Sequence, residues 1–282
     1  MEFSFDGIGS AAQSMSPAAI PTGHNNKGFF KRALMNLFII AFMFGFVELY
    51  TFCLGSGNGL IGLTISLAII SFWRTDIGIK PLQGAFVIWG AFLLTGGATF
   101  LASFHPAIGV FVNFASIYTI LTLTSHQPMA KAYYPILSCY LFAQSSPVYG
   151  IDYGLRMIGI AGGGLIVAII YYIRHRKVKR RRNITDIFRE THFCSIRTKF
   201  FIRLTTGLTI AMLIGDFYHV LKPAWISFTV LSLVHPFVNE SRKKIVYRII
   251  GTIIGGILYF VLFEWVVPDP WHPVLLILTG YI

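Results

Sequence analysis

The side chains with the most chemical potential in this sequence are acids and hydroxyls set in apolar runs. Glu48 lies well inside one such run, Asp216 closes another, and Glu264 falls late in a third. A carboxylate in hydrocarbon is costly, so it normally faces a cavity, a partner or a proton path. His219 stands 171 residues after Glu48, the same offset at which Lys31-Arg32 meets Ile202-Arg203. Glu48, Asp216 and His219 are therefore candidates for proton coupling or substrate gating. The alternative is an interfacial side chain that reaches for water. That alternative is preferred for Glu264, because Trp265 and Pro268 mark an interface beside it.

Small hydroxyls form a second group. Thr64 and Ser66 lie in one short apolar run, and Ser227, Thr229 and Ser232 lie in another, after Trp225. They predict a polar path bordered by Thr64, Ser66, Ser227 and Thr229, with Trp225 as an aromatic face. Arg248 follows and supplies a positive charge for an anion. Hydroxyls bonded to their own helix backbone are the competing reading, as is an Arg248 that only marks the membrane interface. No GxGxxG, Walker, HExxH or GxSxG motif is present. Cys53, Cys139 and Cys194 make neither a disulfide framework nor a metal-ligand spacing. No catalytic residue, metal or cofactor is expected.

The elements that carry these groups are membrane spans. Apolar residues make up 55% of the 282, and charged ones only 12%, against about 25% in a soluble domain. Residues 84–104, 107–124 and 157–173 carry no charge at all. Runs near 20 residues of this kind cross a bilayer as helices. Ten spans are predicted, near 33–54, 59–72, 81–103, 106–124, 132–147, 153–173, 200–215, 223–238 and 249–267, with a last one starting at His272. The last holds ten residues after His272, about half of a bilayer core, so the sequence is expected to stop inside a helix. The fold class is all-α, a polytopic membrane bundle. Residues 1–28 read as a flexible tail, 29–173 as a first half of six helices, 174–200 as a basic loop and 201–282 as a second half.

Charge sets the expected orientation. With the tail inside, 21 of the 23 Lys and Arg fall on the inner side, and only Arg156 and Lys222 lie outside. This predicts a multi-pass protein of the cell membrane with its amino terminus and basic loop cytoplasmic. The run Arg174-His-Arg-Lys-Val-Lys-Arg-Arg-Arg supplies much of the net charge of +12. A topology anchor is preferred to nucleic-acid binding for it, so the expected partners are the bilayer, a small substrate and, in an oligomer, further copies of the chain.

The two sides of the basic loop overlay as a parallel repeat. At an offset of 167, Gly84 meets Gly251, His105 meets His272 and Pro106 meets Pro273. The second span of each half is short, at 14 and 16 residues, or roughly 21 and 24 Å. Short helices at matching places in two repeats point to a transport site. Gly159-x-x-x-Gly163 and Gly251-Thr252-x-x-Gly255 put small residues on one helix face and predict close helix packing there.

The second half resembles the fusaric-acid-resistance and aromatic-acid-exporter family. The resemblance rests on Arg203-Leu-Thr-Thr-Gly-Leu-Thr-Ile-Ala, on Lys222-Pro-Ala-Trp225-Ile-Ser-Phe-Thr229, on His235-Pro236, and on Arg248-Ile-Ile-Gly251-Thr252-Ile-Ile-Gly255. It covers residues 203–282; in the first half the pattern is weaker, with Ala85 where Thr252 would fall. The resemblance implies an integral membrane transporter with two similar halves and a cytoplasmic segment. It implies export of aromatic or other organic acids. An anion channel or a non-transporting membrane scaffold is the alternative.

Overall fold

The computed structural model describes residues 26–125, 128–178, 182–189, 195–218, 220 and 222–261, with side chains from Leu34 onward and none at 188–189. Among the described residues the protein is all-α. The helices are α1 (Asn26–Leu54), α2 (Gly59–Arg74), α3 (Pro81–Ala102), α4 (Pro106–Thr124), α5 (Tyr134–Ser145), α6 (Ile151–His175), α7 (Ile184–Arg189), α8 (Ile196–Phe217), α9 (Pro223–Leu233) and α10 (Val238–Val261). The span predicted from His272 lies outside the described residues, as do Glu264 and His219.

The chain divides into two compact units, Met1–Phe42 and Met43–Ile282. The first is described as the helical stretch 26–42, whose Leu34, Leu37 and Phe38 are exposed. The second holds the bundle, and its packing is described below.

Helix starts follow from local chemistry. Pro81, Pro106 and Pro223 open α3, α4 and α9, where the missing N–H costs nothing. His105 caps α4 by accepting from the Ala107 N–H at 3.2 Å, and the Ser195 hydroxyl caps α8 by accepting from the Thr198 N–H at 3.1 Å. Gly150 precedes α6 at φ +63°, a conformation that L side chains avoid.

Helix α3 lies against α4, α5 and α6; α2 packs on α5 and α6; α8 joins α4 to α9; and α9 also meets α5. The Trp89 indole N–H donates to the Ala161 carbonyl at 3.1 Å and ties α3 to α6. The Tyr140 hydroxyl donates to Asn113 Oδ1 at 2.7 Å and ties α5 to α4. Three glycines let α6 close on its neighbours. A Cβ at Gly159 would strike the Tyr50 hydroxyl, one at Gly163 would strike Ile65, and one at Gly164 would come within 2.7 Å of the Phe92 Cβ.

Among the described residues, seven helices are long and apolar enough to cross a membrane. Large apolar side chains such as Phe86, Ile158 and Ile210 stand exposed on them, which suits a hydrocarbon solvent. Two differences from the predicted spans matter for the site. The 3-10 turn Ser56–Asn58 extends α2 to a 19-residue run, so α2 is not the short partner of α9. That partner is α5, with 12 residues against 11 in α9. The basic segment also contains structure: α7 docks beside α4, with Ile187 buried and the Ile184 N–H donating to Gln83 Oε1 at 3.0 Å.

Candidate functional site

Arg156, in the second turn of α6, is 3% exposed. Its Nε donates to Asn58 Oδ1 at 2.8 Å, Nη2 to the Gly57 carbonyl at 2.9 Å, and Nη1 to the carbonyls of Ala143, at 3.3 Å, and Ser146. Ala143 and Ser146 belong to the end of α5, where carbonyls lack intrahelical partners and a cation is favoured. Gly57 and Asn58 belong to the turn before α2. One guanidinium therefore joins three elements, and none of these four acceptors is a carboxylate. A buried cation without a counter-ion in bonding contact is costly inside a membrane protein, which makes Arg156 a candidate site residue.

A cavity of about 560 Å³ opens against Arg156, bordered by Tyr153, Gln144, Thr99 and Asp216. The Tyr153 hydroxyl donates to the Gly96 carbonyl at 3.3 Å, which fixes its ring at the cavity wall. A second cavity, of about 390 Å³, is lined by Tyr134, Pro135, Leu231, Ser232 and their neighbours. Both volumes fall in or near the range of small-molecule sites, about 300–1,000 Å³.

Helices α5 and α9 connect the two cavities. Ala143 to Ser145 and Pro223 border the first; Tyr134, Pro135, Leu231 and Ser232 border the second. The two helices therefore run antiparallel from one cavity to the other. Part-way along them Phe142 and Phe228 meet, with ring centroids 4.7 Å apart. Helices of 12 and 11 residues reach only about 18 Å of a 30 Å core. Their shortness leaves the room that the cavities occupy.

The predicted path residues sit on these helices and on α2, mostly turned to their own backbone. Thr64 and Ser66 are buried and donate to the carbonyls of Ile61 and Leu63, each at 2.8 Å. Thr229 donates to the Trp225 carbonyl at 2.8 Å, Ser227 is buried, and Trp225 is exposed. None of these five residues borders either cavity. Arg248 donates through Nη1 to the Ser232 hydroxyl, which lines the second cavity. Asp216 lines the first, whereas Glu48 is exposed and lines neither. Thr252 is exposed on α10, and a Cβ added at Gly251 or Gly255 would meet no described atom within 4 Å.

Sequence reasoning passed over Arg156 as a site residue, although one signal was there. It is one of only two cations on the side predicted to be outside, so the charge rule does not account for it. Lys131, His235 and Lys244, which line the second cavity, gave no such signal among many inner cations. Among the described residues no group of three His, Cys, Asp or Glu is placed to hold a metal.

The second-half residues of both cavities, from Gly215 to Lys244, lie in one continuous stretch of sequence. Residues 210–282 match the family described as fusaric acid resistance protein-like. The match falls within the stretch on which the resemblance rests. The uncharacterized protein YhfK of Escherichia coli (strain K12) is similar at 32% identity over 77 residues, which are 27% of this chain and 11% of that protein. No solved structure matches the chain. The fusaric acid resistance-like stretch thus supplies part of each cavity, and α2 to α6 supply the rest, including Arg156. The chain is a multi-pass membrane protein by its helices and by this match.

Proposed function

We propose that the protein is a secondary transporter that exports small organic acids across the cell membrane, moving them along the α5–α9 pair. The observation that carries this reading is Arg156. Its four hydrogen bonds use four of the five guanidinium donors, and it borders the first cavity. The remaining donor and the positive charge suit a carboxylate arriving there. Tyr153 and Phe100, stacked with centroids 4.5 Å apart, offer an apolar wall for the rest of such a molecule.

In this reading the cationic Lys131 end of the bundle is cytoplasmic and the Arg156 end external, as the charge asymmetry predicts. The Phe142–Phe228 contact across the α5–α9 seam favours alternating access over an open channel. Asp216, which borders the same cavity as Arg156, is the coupling carboxylate that this reading favours over the exposed Glu48. Thr64, Ser66 and Thr229 bond to carbonyls of their own helices and, like Ser227, stand outside both cavities. The likeness of the second half to the first, as two parallel repeats, fits a transporter built from two bundles.

The test is efflux of labelled benzoate from cells making the full chain. Arg156→Gln is expected to abolish efflux, Arg156→Lys to keep a fraction of it, and Asp216→Asn to remove its dependence on the proton gradient. Wild-type efflux from Arg156→Gln protein present at normal membrane levels overturns the reading.

A further inference from the structure

We infer that the second cavity is a binding site for a small organic carboxylate, held by Lys131, Lys244 and His235, with His235 gaining a proton as the anion binds. The inference rests on the transport reading for its physiological role, though not for its existence.

Three elements bring cations to this cavity. Lys131 comes from the turn before α5, Lys244 from α10 and His235 from the link between α9 and α10. No carboxylate is among the lining residues, while Met129, Pro135, Leu231 and Val234 give the cavity an apolar body. That combination suits a carboxylate carried on an apolar group better than it suits inorganic phosphate, which brings no apolar surface.

Two features fix the backbone that carries Lys131 and His235. Lys131 has φ +51°, and among the described residues no other non-glycine has positive φ. Glycine or asparagine would meet this conformation more readily, and strain of this kind collects at functional sites. The His235 segment is clamped as well. Its N–H donates to the Ser241 hydroxyl at 2.8 Å, and Arg203 Nη2 donates to the carbonyls of His235 and Pro236 at 3.4 and 2.9 Å. His235 Nδ1 accepts the Phe237 N–H at 3.4 Å, so the neutral ring carries its proton on Nε2.

The groups around His235 fix the sign of its response. Burial and Lys244 press its pKa below the ordinary value, Glu240 pulls it up, and Lys131 adds to the depression. Tyr133 and Tyr134 also line the cavity, Arg203 is engaged with backbone carbonyls, and Arg248 donates to Ser232. The free site therefore keeps the imidazole neutral near pH 7. A bound carboxylate reverses the local potential and raises the imidazole pKa. Binding then takes up a proton, and affinity falls as pH rises.

The experiment is equilibrium binding of radiolabelled benzoate to the purified full chain, first in detergent and then in nanodiscs with or without phosphatidylglycerol. Saturable binding is expected, tighter at about pH 5.5 than at about pH 8, where benzoate stays ionised throughout. Lys131→Asn with Lys244→Gln should weaken binding about tenfold or more; asparagine at 131 removes the charge while tolerating positive φ. His235→Gln should bind benzoate at the higher pH but lose the pH dependence. Arg74→Gln, an exposed cation outside the cavity, should bind like wild type. Equal binding by wild type and the double variant overturns the site. Phosphatidylglycerol binding that needs the same lysines, with no benzoate binding, assigns the cavity to lipid and also overturns it. Intact benzoate binding without efflux would sink the transport reading alone, because binding is measured without flux.

Discussion

Helices α6 and α10 carry the same run of residues: Arg156-x-x-Gly159-x-x-x-Gly163 in one and Arg248-x-x-Gly251-x-x-x-Gly255 in the other. In α6 the arginine is 3% exposed and holds four acceptors, and the glycines lie against Tyr50 and Ile65. In α10 the arginine is exposed and donates to Ser232, and the glycines meet no described atom. A helix supplies spacing and one smooth face; its neighbours decide whether that face becomes a packed seam. Here α6 lies against α2 and α3, while the principal described neighbour of α10 is α9. A short motif is thus a capacity, and the surrounding helices give it a role.

The largest expected break comes at the α6 seam. Gly163→Leu would drive four carbons into Ile65, itself fully buried and already within 3.0 Å of the added Cβ through its Cγ2. Loss of about 3 kcal/mol or more is expected, read as a collapse of monodisperse protein in detergent. Gly255→Leu should leave that yield near wild type, and equal loss at both positions would erase the contrast between the helices.

The arginines should differ next. Arg156→Gln orphans buried acceptors, at about 1–3 kcal/mol for each left unpaired, and thermal unfolding in detergent should show a clear drop. Arg248→Gln removes one hydrogen bond on an exposed face and should shift the midpoint far less. Matching shifts would mean that α10 is as enclosed as α6.

The smallest effect is at Gly251. Alanine there relieves the conformational cost of glycine in a helix, worth up to about 1 kcal/mol, and the described surroundings leave room for its methyl group. A slight rise in the unfolding midpoint is expected. The packing role read from the motif predicts a fall instead, so the sign decides between the two.

The spans were legible because apolar length is a one-dimensional property. Pro81, Pro106 and Pro223 begin α3, α4 and α9 where their sequence positions say they should. The boundary of α10 was less legible: its helix starts at Val238, through Arg242-Lys243-Lys244, because charged residues with good helix propensity extend a helix beyond the membrane. The site was partly legible. Asp216 and Arg248 were picked out and stand at or next to a cavity, while Thr64, Ser66 and Thr229 satisfy their hydroxyls on their own helices. Sequence shows that a hydroxyl lies in an apolar run but not which way it turns, and an i−3 or i−4 carbonyl is always within its reach.

By itself the sequence determined the all-helical membrane character and the order and starts of most helices. These depend on transfer free energies and local backbone chemistry, which add up residue by residue. Only the tertiary structure decided that α5 is the short partner of α9, that Arg156 gathers carbonyls from α5 and from the turn before α2, and that Lys131, His235 and Lys244 share one cavity. Those facts depend on which helices become neighbours. Pairings between residues about 100 positions apart, such as Arg156 with Asn58, leave no trace in local periodicity, because they are set by how whole helix faces fit together.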